Sequence, residues 1–270
     1  MLNKLKNVTR DALPARCQVP VKYWYGAARG DIEPEMALLA FLVHRGDHVL
    51  DVGGNRGTYA YRFWKLGARL DVFEPNPDCA GVLKNWAAGK PAVNVHAVAL
   101  SSRSGTAQLH VPIDEHGVEH DASASIEHGA GGASHDFDVP LRALDSFDFT
   151  DVRLIKIDVE GHEGSVIEGA KATLTASMPA LIIEIEQRHI SRPIREMLAD
   201  VEQLGYAGYF LIDGRLRLLR EFDVAKHQSI ETFEANGNDY YNNFIFLGVE
   251  HLRAGRYKAL RKRWMPGPAA

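Results

Sequence analysis

Two pairs of charged residues interrupt apolar runs: Lys156 and Asp158 in Leu154-Ile155-Lys156-Ile157-Asp158, and Glu184 and Glu186 in Leu181–Glu186. Residues two apart on a strand share a face, so each pair projects together. If the two runs are neighbouring strands, three carboxylates and a lysine converge at the carboxyl end of a sheet. Charges in such strands are unfavourable unless matched. One resolution is a lysine–carboxylate network that satisfies only itself. A second is proton transfer: a carboxylate beside a hydroxyl, a poor nucleophile, can take its proton as a new bond forms. Asp158 is the first candidate for that base because it ends its strand, with Glu160, Glu184 and His189 as alternatives. A third is hard-oxygen ligation of Mg²⁺ or Ca²⁺ by Asp158, Glu184 and Glu186, although no spacing motif requires a metal. His162 follows Glu160-Gly161 where a helix opens, and is read as a surface or capping residue with a catalytic role left open.

A second constellation lies earlier in the chain. Val49-Leu50-Asp51-Val52-Gly53-Gly54-Asn55-Arg56-Gly57-Thr58 reads as a buried strand, a tight turn and a helix N-terminus, and Leu70-Asp71-Val72-Phe73 ends at Glu74. This order suits a nucleotide-like ligand: small residues admit its backbone approach, and a carboxylate after the second strand can accept both hydroxyls of a ribose. A dinucleotide fingerprint would place its third glycine at Thr58, where none stands. Asp51 fits poorly beside a pyrophosphate and well beside an ammonium group. The missing glycine and extra acid favour S-adenosylmethionine over NAD. A tight turn without a ligand is the plain alternative.

The elements that would position these residues alternate. Helix Pro34–Val43 precedes strand 49–52, helix 58–66, strand 70–73 and a helix opening at Asn76-Pro77, a capping residue followed by proline at the first helical position. Strand Val93–Leu100 follows, then an extra strand Thr106–Val111. The stretch 113–138 reads as a loop rich in Gly, Ala, Ser and His. Its His116, His120, His128 and His135 lack a cysteine partner and regular zinc spacing, so a lid over the site or a disordered loop is expected. Order resumes with strand 154–158, a helix ending before Pro179, strand 181–186, and a helix carrying Ile194, Met197, Leu198, Val201 and Leu204. Tyr206–Ile212 and Arg215–Leu219 flank Asp213-Gly214 as a hairpin, and Asn243–Val249 is a last strand. The expected fold is α/β: a Rossmann-like three-layer sandwich around a mostly parallel seven-stranded sheet with an antiparallel edge hairpin. Residues 1–45 read as a lead-in, 46–250 as the main domain and 251–270 as a basic tail.

The bulk numbers bound this reading. A chain of 270 residues, 46% hydrophobic, can bury a full core. With 31 basic and 35 acidic residues the net charge is −4, giving no global bias toward nucleic acid or membrane. Cys17 and Cys79 are too few and too distant for a disulfide framework. No signal peptide or membrane span is read, and a cytoplasmic location is expected. Tyr23, Trp24 and Tyr25 are read as core packing, with stacking on a ligand as the alternative. Arg253, Arg256, Lys258, Arg261, Lys262 and Arg263 are read as a solvated helix, with peripheral contact to an anionic surface as the alternative.

Val49–Thr58, Phe73-Glu74-Pro75-Asn76 and above all Ile155-Lys156-Ile157-Asp158-Val159-Glu160-Gly161-His162-Glu163 resemble the FkbM-type methyltransferases, class I S-adenosylmethionine-dependent enzymes. The likeness extends through Leu144-Asp145, Ile182-Ile183-Glu184 and Asn243–Leu247, about residues 45–250. Gly54 stands where that family more often has alanine, and Arg56 where an apolar residue is common. The resemblance implies that Gly53, Asn55 and Gly57 line the methionine part of the cofactor, that Glu74 holds its ribose, and that residues near Ala99 border the adenine. Asp51, Thr58 and Asn76 complete the expected cofactor set. Asp158 would lie near the transferred methyl group, with Glu160 and Glu184 as further catalytic candidates. The implied activity is O-methylation of a sugar, glycan or related natural product. An NAD-dependent oxidoreductase and a non-catalytic cofactor-binding protein are the rivals.

Overall fold

The structure, a computed structural model, describes residues 13–127, 132–234 and 240–265. Eleven strands lie among the described residues: β1 His48–Val52, β2 Arg69–Phe73, β3 Val93–His96, β4 Ala99–Leu100, β5 Gly105–Pro112, β6 Ser134–Arg142, β7 Val152–Ile157, β8 Ala180–Glu184, β9 Tyr206–Ile212, β10 Arg215–Leu218 and β11 Asn243–Gly248. The main sheet has eight strands in the order β10-β9-β11-β8-β7-β1-β2-β3. Pairing is parallel from β8 through β7, β1 and β2 to β3, and antiparallel where β11 meets β8 and β9 and where β9 meets β10. The expected sheet of seven strands is thus corrected to eight. The antiparallel edge hairpin is present as β9–β10, and β11 threads between β8 and β9.

Alternation along the central strands divides the core in two. Val49, Leu154, Ile182 and Ile245 pack on one face with Val19, Leu39, Phe63 and Trp86. Leu50, Val52, Ile155, Ile157, Ile183 and Phe244 pack on the other with Val166, Leu174, Ile194 and Val201. The first face is covered by helices Ala15–Arg29, Thr58–Lys65 and Pro77–Ala87, the second by Glu163–Glu168, Lys171–Ser177 and Ile194–Gln203. The long strands are buried on both faces, which is why they read as near-continuous apolar runs.

Three further expectations change. The strand read over 93–100 splits into β3 and β4, and β4 leaves the main sheet for a three-stranded one in the order β4-β6-β5. The stretch read as a loop to residue 138 turns into β6 at Ser134, which pairs with β5 from Pro112↔Ser134 back to Gly105↔Leu141. The helix expected over 34–43 is a 3₁₀ turn at Pro34–Ala37 and a single α-turn at Leu39–Leu42. The basic segment forms helix Lys258–Trp264, seated with Leu260 and Tyr257 buried and Trp264 edge-on to Phe41. Arg153, near the start of β7, donates to the Leu42 carbonyl and faces the Tyr257 ring, so this helix sits at the amino ends of the strands. No helix among the described residues is long and apolar enough to cross a membrane.

Candidate active site

The carboxyl ends of β1, β2, β7 and β8 open into a cavity of about 280 Å³. Register places its charged residues. Asp51 pairs across the ladder with Lys156, Lys156 with Ile182, and Asn243 with Glu184. Asp51, Lys156, Glu184 and Asn243 therefore share one face of the sheet, at its exit.

The turn after β1 is built tightly against its neighbours. Gly53 has φ +81°, and a Cβ there would lie 1.7 Å from the Asp158 carbonyl oxygen. A Cβ on Gly54 would lie 2.2 Å from Val72 Cγ1. The N–H groups of both glycines donate to the Phe73 carbonyl, at 2.9 and 3.1 Å. These glycines are explained by strand packing, with no ligand needed to account for them. Asn55 takes a left-handed conformation, φ 45°, and its N–H donates to Glu74 Oε2 at 2.6 Å. The Asn76 N–H donates to Glu74 Oε1 at 2.8 Å. The carboxylate is thus fixed edge-on, and each oxygen keeps a lone pair. Burial pushes the Glu74 carboxyl up to about 7 against the pull of those two N–H groups, with Asp51 and Asp121 adding repulsion.

Asp51 is 1% exposed, and its Oδ2 has no hydrogen-bond partner among the described residues. Burial pushes its carboxyl up to about 7; Lys156 opposes, and Asp158 and Glu33 reinforce the rise. A buried acceptor without a donor destabilises the free protein and suits a cationic donor that enters the cavity. Lys156, also 1% exposed, lies 3.5 Å from Asp158 Oδ2 and 3.7 Å from Glu184 Oε2, with its ammonium over the Tyr59 ring. Burial disfavours that charge, but Asp158, Glu184, Glu33 and Asp51 outweigh it and the ammonium is held above its ordinary range. Burial, with Asp158 next, pushes Glu184 well above the carboxylate range. The Asp158 side chain is 30% exposed, so it faces the cavity with water access.

Of the expected site residues, Asp51, Gly53, Asn55, Thr58, Glu74, Ala99, Asp158, Glu160 and Glu184 line the cavity. Gly57 and Asn76 stand behind its wall: Gly57 begins the Thr58–Lys65 helix, and the Asn76 side chain caps Pro77–Ala87 by accepting from Asp78 and Cys79 N–H. Glu186 turns away as well, bonded to Arg188, Tyr240 and Asn242. The Mg²⁺ reading loses its ligands for this reason, since the Lys156 ammonium fills the gap between Asp158 and Glu184. Among the described residues no group of three His, Cys, Asp or Glu side chains is arranged for a metal. His189 reaches Glu160 at 3.0 Å, and that contact raises the imidazole against burial. His162 stands at the N-cap of the Glu163–Glu168 helix, as one of the two expectations had it, but its side chain makes no capping bond and is buried: it lines the cavity, with Nδ1 at Glu127 and Nε2 2.9 Å from Ser101 Oγ.

Several wall residues carry no motif that marks them in the sequence. Residues 121–127, from the segment between β5 and β6, lie across both halves of the site. Arg56 grips Asp121 at 2.7 Å, Ser125 Oγ donates to the Glu160 carbonyl at 2.8 Å, and Glu127 meets His162. Ala122, Ala124 and Ile126 join Phe73, Val98, Leu100 and Leu109 in an apolar slot beside Glu74. His116, His120 and His135 pair with Glu115, Asp114 and Glu119 away from the cavity, and His128 lies outside the described residues. Glu33 enters from the segment before β1, accepting from Tyr59 OH at 2.6 Å and from Asn243 Nδ2 at 3.3 Å. Asn242 Nδ2 donates to Glu184 Oε1 at 2.6 Å and to Glu186 Oε1 at 3.2 Å. The doubled asparagine ahead of an apolar strand was the one available signal. Of the aromatic run, Tyr23 packs on Tyr61 while Trp24 is 57% exposed and bonded to Tyr61 OH, and none of the three lines the cavity.

Residues 51–209 match the profile of the methyltransferase FkbM domain, which is more than half of the chain. The chain belongs to the FkbM methyltransferase family. A protein of Sinorhizobium fredii (strain NBRC 101917 / NGR234), 2-O-methyltransferase NoeI, is 34% identical over 142 residues, covering 47% of this chain and 58% of that protein. The match therefore spans little more than half of that relative's length. A methyltransferase FkbM from Methylobacillus flagellatus KT has a structure alignable over 74% of this chain and 43% of its own, at 15% identity and a TM-score of 0.46. A TehB-like SAM-dependent methyltransferase from Corynebacterium glutamicum aligns over 84% and 94%, at 13% identity and a TM-score of 0.42. Membership of a methyltransferase family leaves the NAD-dependent oxidoreductase without support.

Proposed function

We propose that this protein is an S-adenosylmethionine-dependent O-methyltransferase whose acceptor is a hydroxyl of a sugar, glycan or related natural product. The observation that carries the reading is the pair of buried acids on one wall: Asp51 with an oxygen that has no donor among the described residues, and Glu74 held edge-on by two backbone N–H groups. Such a pair suits a ligand with a cationic amine at one end and a ribose diol at the other. The apolar slot from Val98 to Leu100 suits the adenine between them. When bound, S-adenosylmethionine supplies an electrophilic methyl group.

On the facing wall, Asp158 is the base that takes the acceptor's hydroxyl proton. Lys156 lies 3.5 Å from its Oδ2 and holds the carboxylate in place, and Glu184, raised above the carboxylate range by burial, donates a hydrogen bond to the acceptor in place of competing for its proton. Glu160 is held by His189 and the strip 121–127, and shapes the mouth. Much of the rate is then positioning, because a bound hydroxyl aligned with the methyl carbon needs little further reorganisation. The O-methylation named for the Sinorhizobium relative supports oxygen as the acceptor atom.

Calorimetry with S-adenosylhomocysteine and with NAD tests the donor: binding of the first and silence with the second are expected, and binding of NAD alone overturns the reading. Radiolabelled methyl transfer from S-adenosylmethionine to free monosaccharides and their methyl glycosides tests the acceptor class. Transfer to amines or thiols with none to hydroxyls would remove the oxygen assignment.

A further inference from the structure

We propose that Glu33 is a charge-selecting residue of the donor cavity, favouring the cationic, methylated donor over the neutral thioether that remains after transfer, and so limiting product inhibition. This inference rests on the S-adenosylmethionine reading above. Glu33 lies ahead of the family-matched stretch 51–209, and no motif includes it. It nevertheless lines the same cavity as Asp51, Asp158, Lys156 and Glu184.

Three features make it a built carboxylate instead of a passing surface acid. Tyr59 OH and Asn243 Nδ2 both donate to its Oε2, which fixes the side chain. Its Oε1 receives no hydrogen bond from the described residues. Its charge is felt across the cavity, since it contributes to holding Lys156 protonated and to raising Asp51 and Glu184. Asp51, Asp158, Glu184 and Glu33 are thus four carboxyl groups around one ammonium. The whole cavity is lined by seven carboxyl groups against the ammonium groups of Lys22 and Lys156. That excess of acids favours a sulfonium and is indifferent to a thioether. In a partly buried site such a charge acts over several ångströms with little screening.

The test compares three probes by calorimetry on the full chain: S-adenosylmethionine, sinefungin (an unreactive analogue with a cationic amine near the methyl position) and S-adenosylhomocysteine. Glu33→Gln keeps an oxygen to accept from Tyr59 while removing the charge. The variant is expected to bind both cationic probes about tenfold more weakly, with S-adenosylhomocysteine within about twofold of wild type. The ratio of affinities is the readout, because partial unfolding scales all three Kd values alike. Equal weakening of all three probes makes Glu33 a structural residue and overturns the proposal, as does no change in any. If wild type binds none of the three, the donor reading itself fails and takes this inference with it.

Discussion

The wall carrying Asp51 and Glu74 comes from one continuous stretch, residues 49–76, and is held by backbone hydrogen bonds: Gly53 and Gly54 to Phe73, Asn55 and Asn76 to Glu74. The facing wall is gathered from six places. Glu33 precedes β1, Tyr59 follows the turn, residues 121–127 come from the segment between β5 and β6, Lys156 lies in β7 and Asp158 just after it, Glu184 ends β8, and Asn242 and Asn243 stand at the start of β11. Its joints are made by side chains, mostly with one another. A wall made of backbone contacts tolerates sequence change outside its own stretch. A wall made of side-chain pairs is re-specified whenever one partner changes.

The largest expected effects fall on opposite walls and separate them. Asp158→Asn is expected to lower methyl transfer about 100–1,000-fold, the range of a positioned general base. Its affinity for S-adenosylhomocysteine should stay within about threefold by calorimetry. A comparable loss in both would move Asp158 to the donor wall and erase the division. Glu74→Ala should do the reverse, weakening S-adenosylhomocysteine about 10–100-fold through lost charge-assisted hydrogen bonds to the ribose. Unchanged affinity would remove the ribose assignment. Because Glu74 also ties Asn55 to Asn76, Glu74→Gln is the companion variant, keeping one acceptor for the turn.

The same division explains how much was legible in the sequence. The wall carrying Asp51 and Glu74 was readable because its residues are neighbours in the chain: a buried strand, a turn with glycines and a terminal acid recur within one βα unit. The reason first given for the glycines was incomplete, since Gly53 answers to the Asp158 carbonyl and Gly54 to Val72. The convergence of Lys156, Asp158 and Glu184 was also legible, because strand alternation predicts faces. Glu186 was misjudged because β8 ends at Glu184, and beyond a strand's end the period of two no longer applies. Glu33 and Asp121 were invisible: each is an ordinary acid in a loop, and only the tertiary fold brings one to Tyr59 and the other to Arg56. The capping position of His162 is legible from the helix that opens after it, but its burial is not, because the strip that covers it comes from a distant segment.

A smaller effect probes the joint between the walls. Arg56 and Asp121 form a largely buried pair, with side-chain exposures of 13% and 9%. Arg56→Ala leaves Asp121 uncompensated near Glu74, and loosens the strip that closes the apolar slot. Dissociation of S-adenosylhomocysteine, followed by stopped-flow fluorescence, is expected to quicken about 5–10-fold, since removing one partner of a buried pair costs more than the pair contributes. An unchanged rate would mean that the strip is held by Ser125 and Glu127 alone and belongs wholly to the acceptor wall.

The smallest effect is a pH dependence, and it asks whether the donor wall is charged before its ligand arrives. Glu35, Asp51, Glu74 and Glu163 are each pushed up to about 7, chiefly by burial. In an unfolded chain the same groups ionise near pH ~4. Between those values the folded protein holds more protons than the unfolded one, so stability falls as pH rises toward about 7. His189, raised by Glu160, adds to the fall near and above neutrality, while His227, lowered by burial, opposes it. Asp71 and Glu186 are held below their ordinary range, by His48, His96 and Asn94 for the first and by Arg188 and Tyr240 for the second. Their contribution is lost only as pH drops below about 4, outside this window. The ligand-free thermal midpoint is therefore expected to peak near pH ~4 and to fall by several degrees by pH ~8, at about 2–4 °C per kcal/mol for a chain of this size. A cationic amine on Asp51 favours its ionised form, so the stabilisation given by S-adenosylhomocysteine should be larger at pH ~8 than at pH ~6. Asp51→Asn should flatten both trends. A ligand-free midpoint that rises across this window would mean that the donor wall is already ionised, and that its unpaired oxygen waits as a charge.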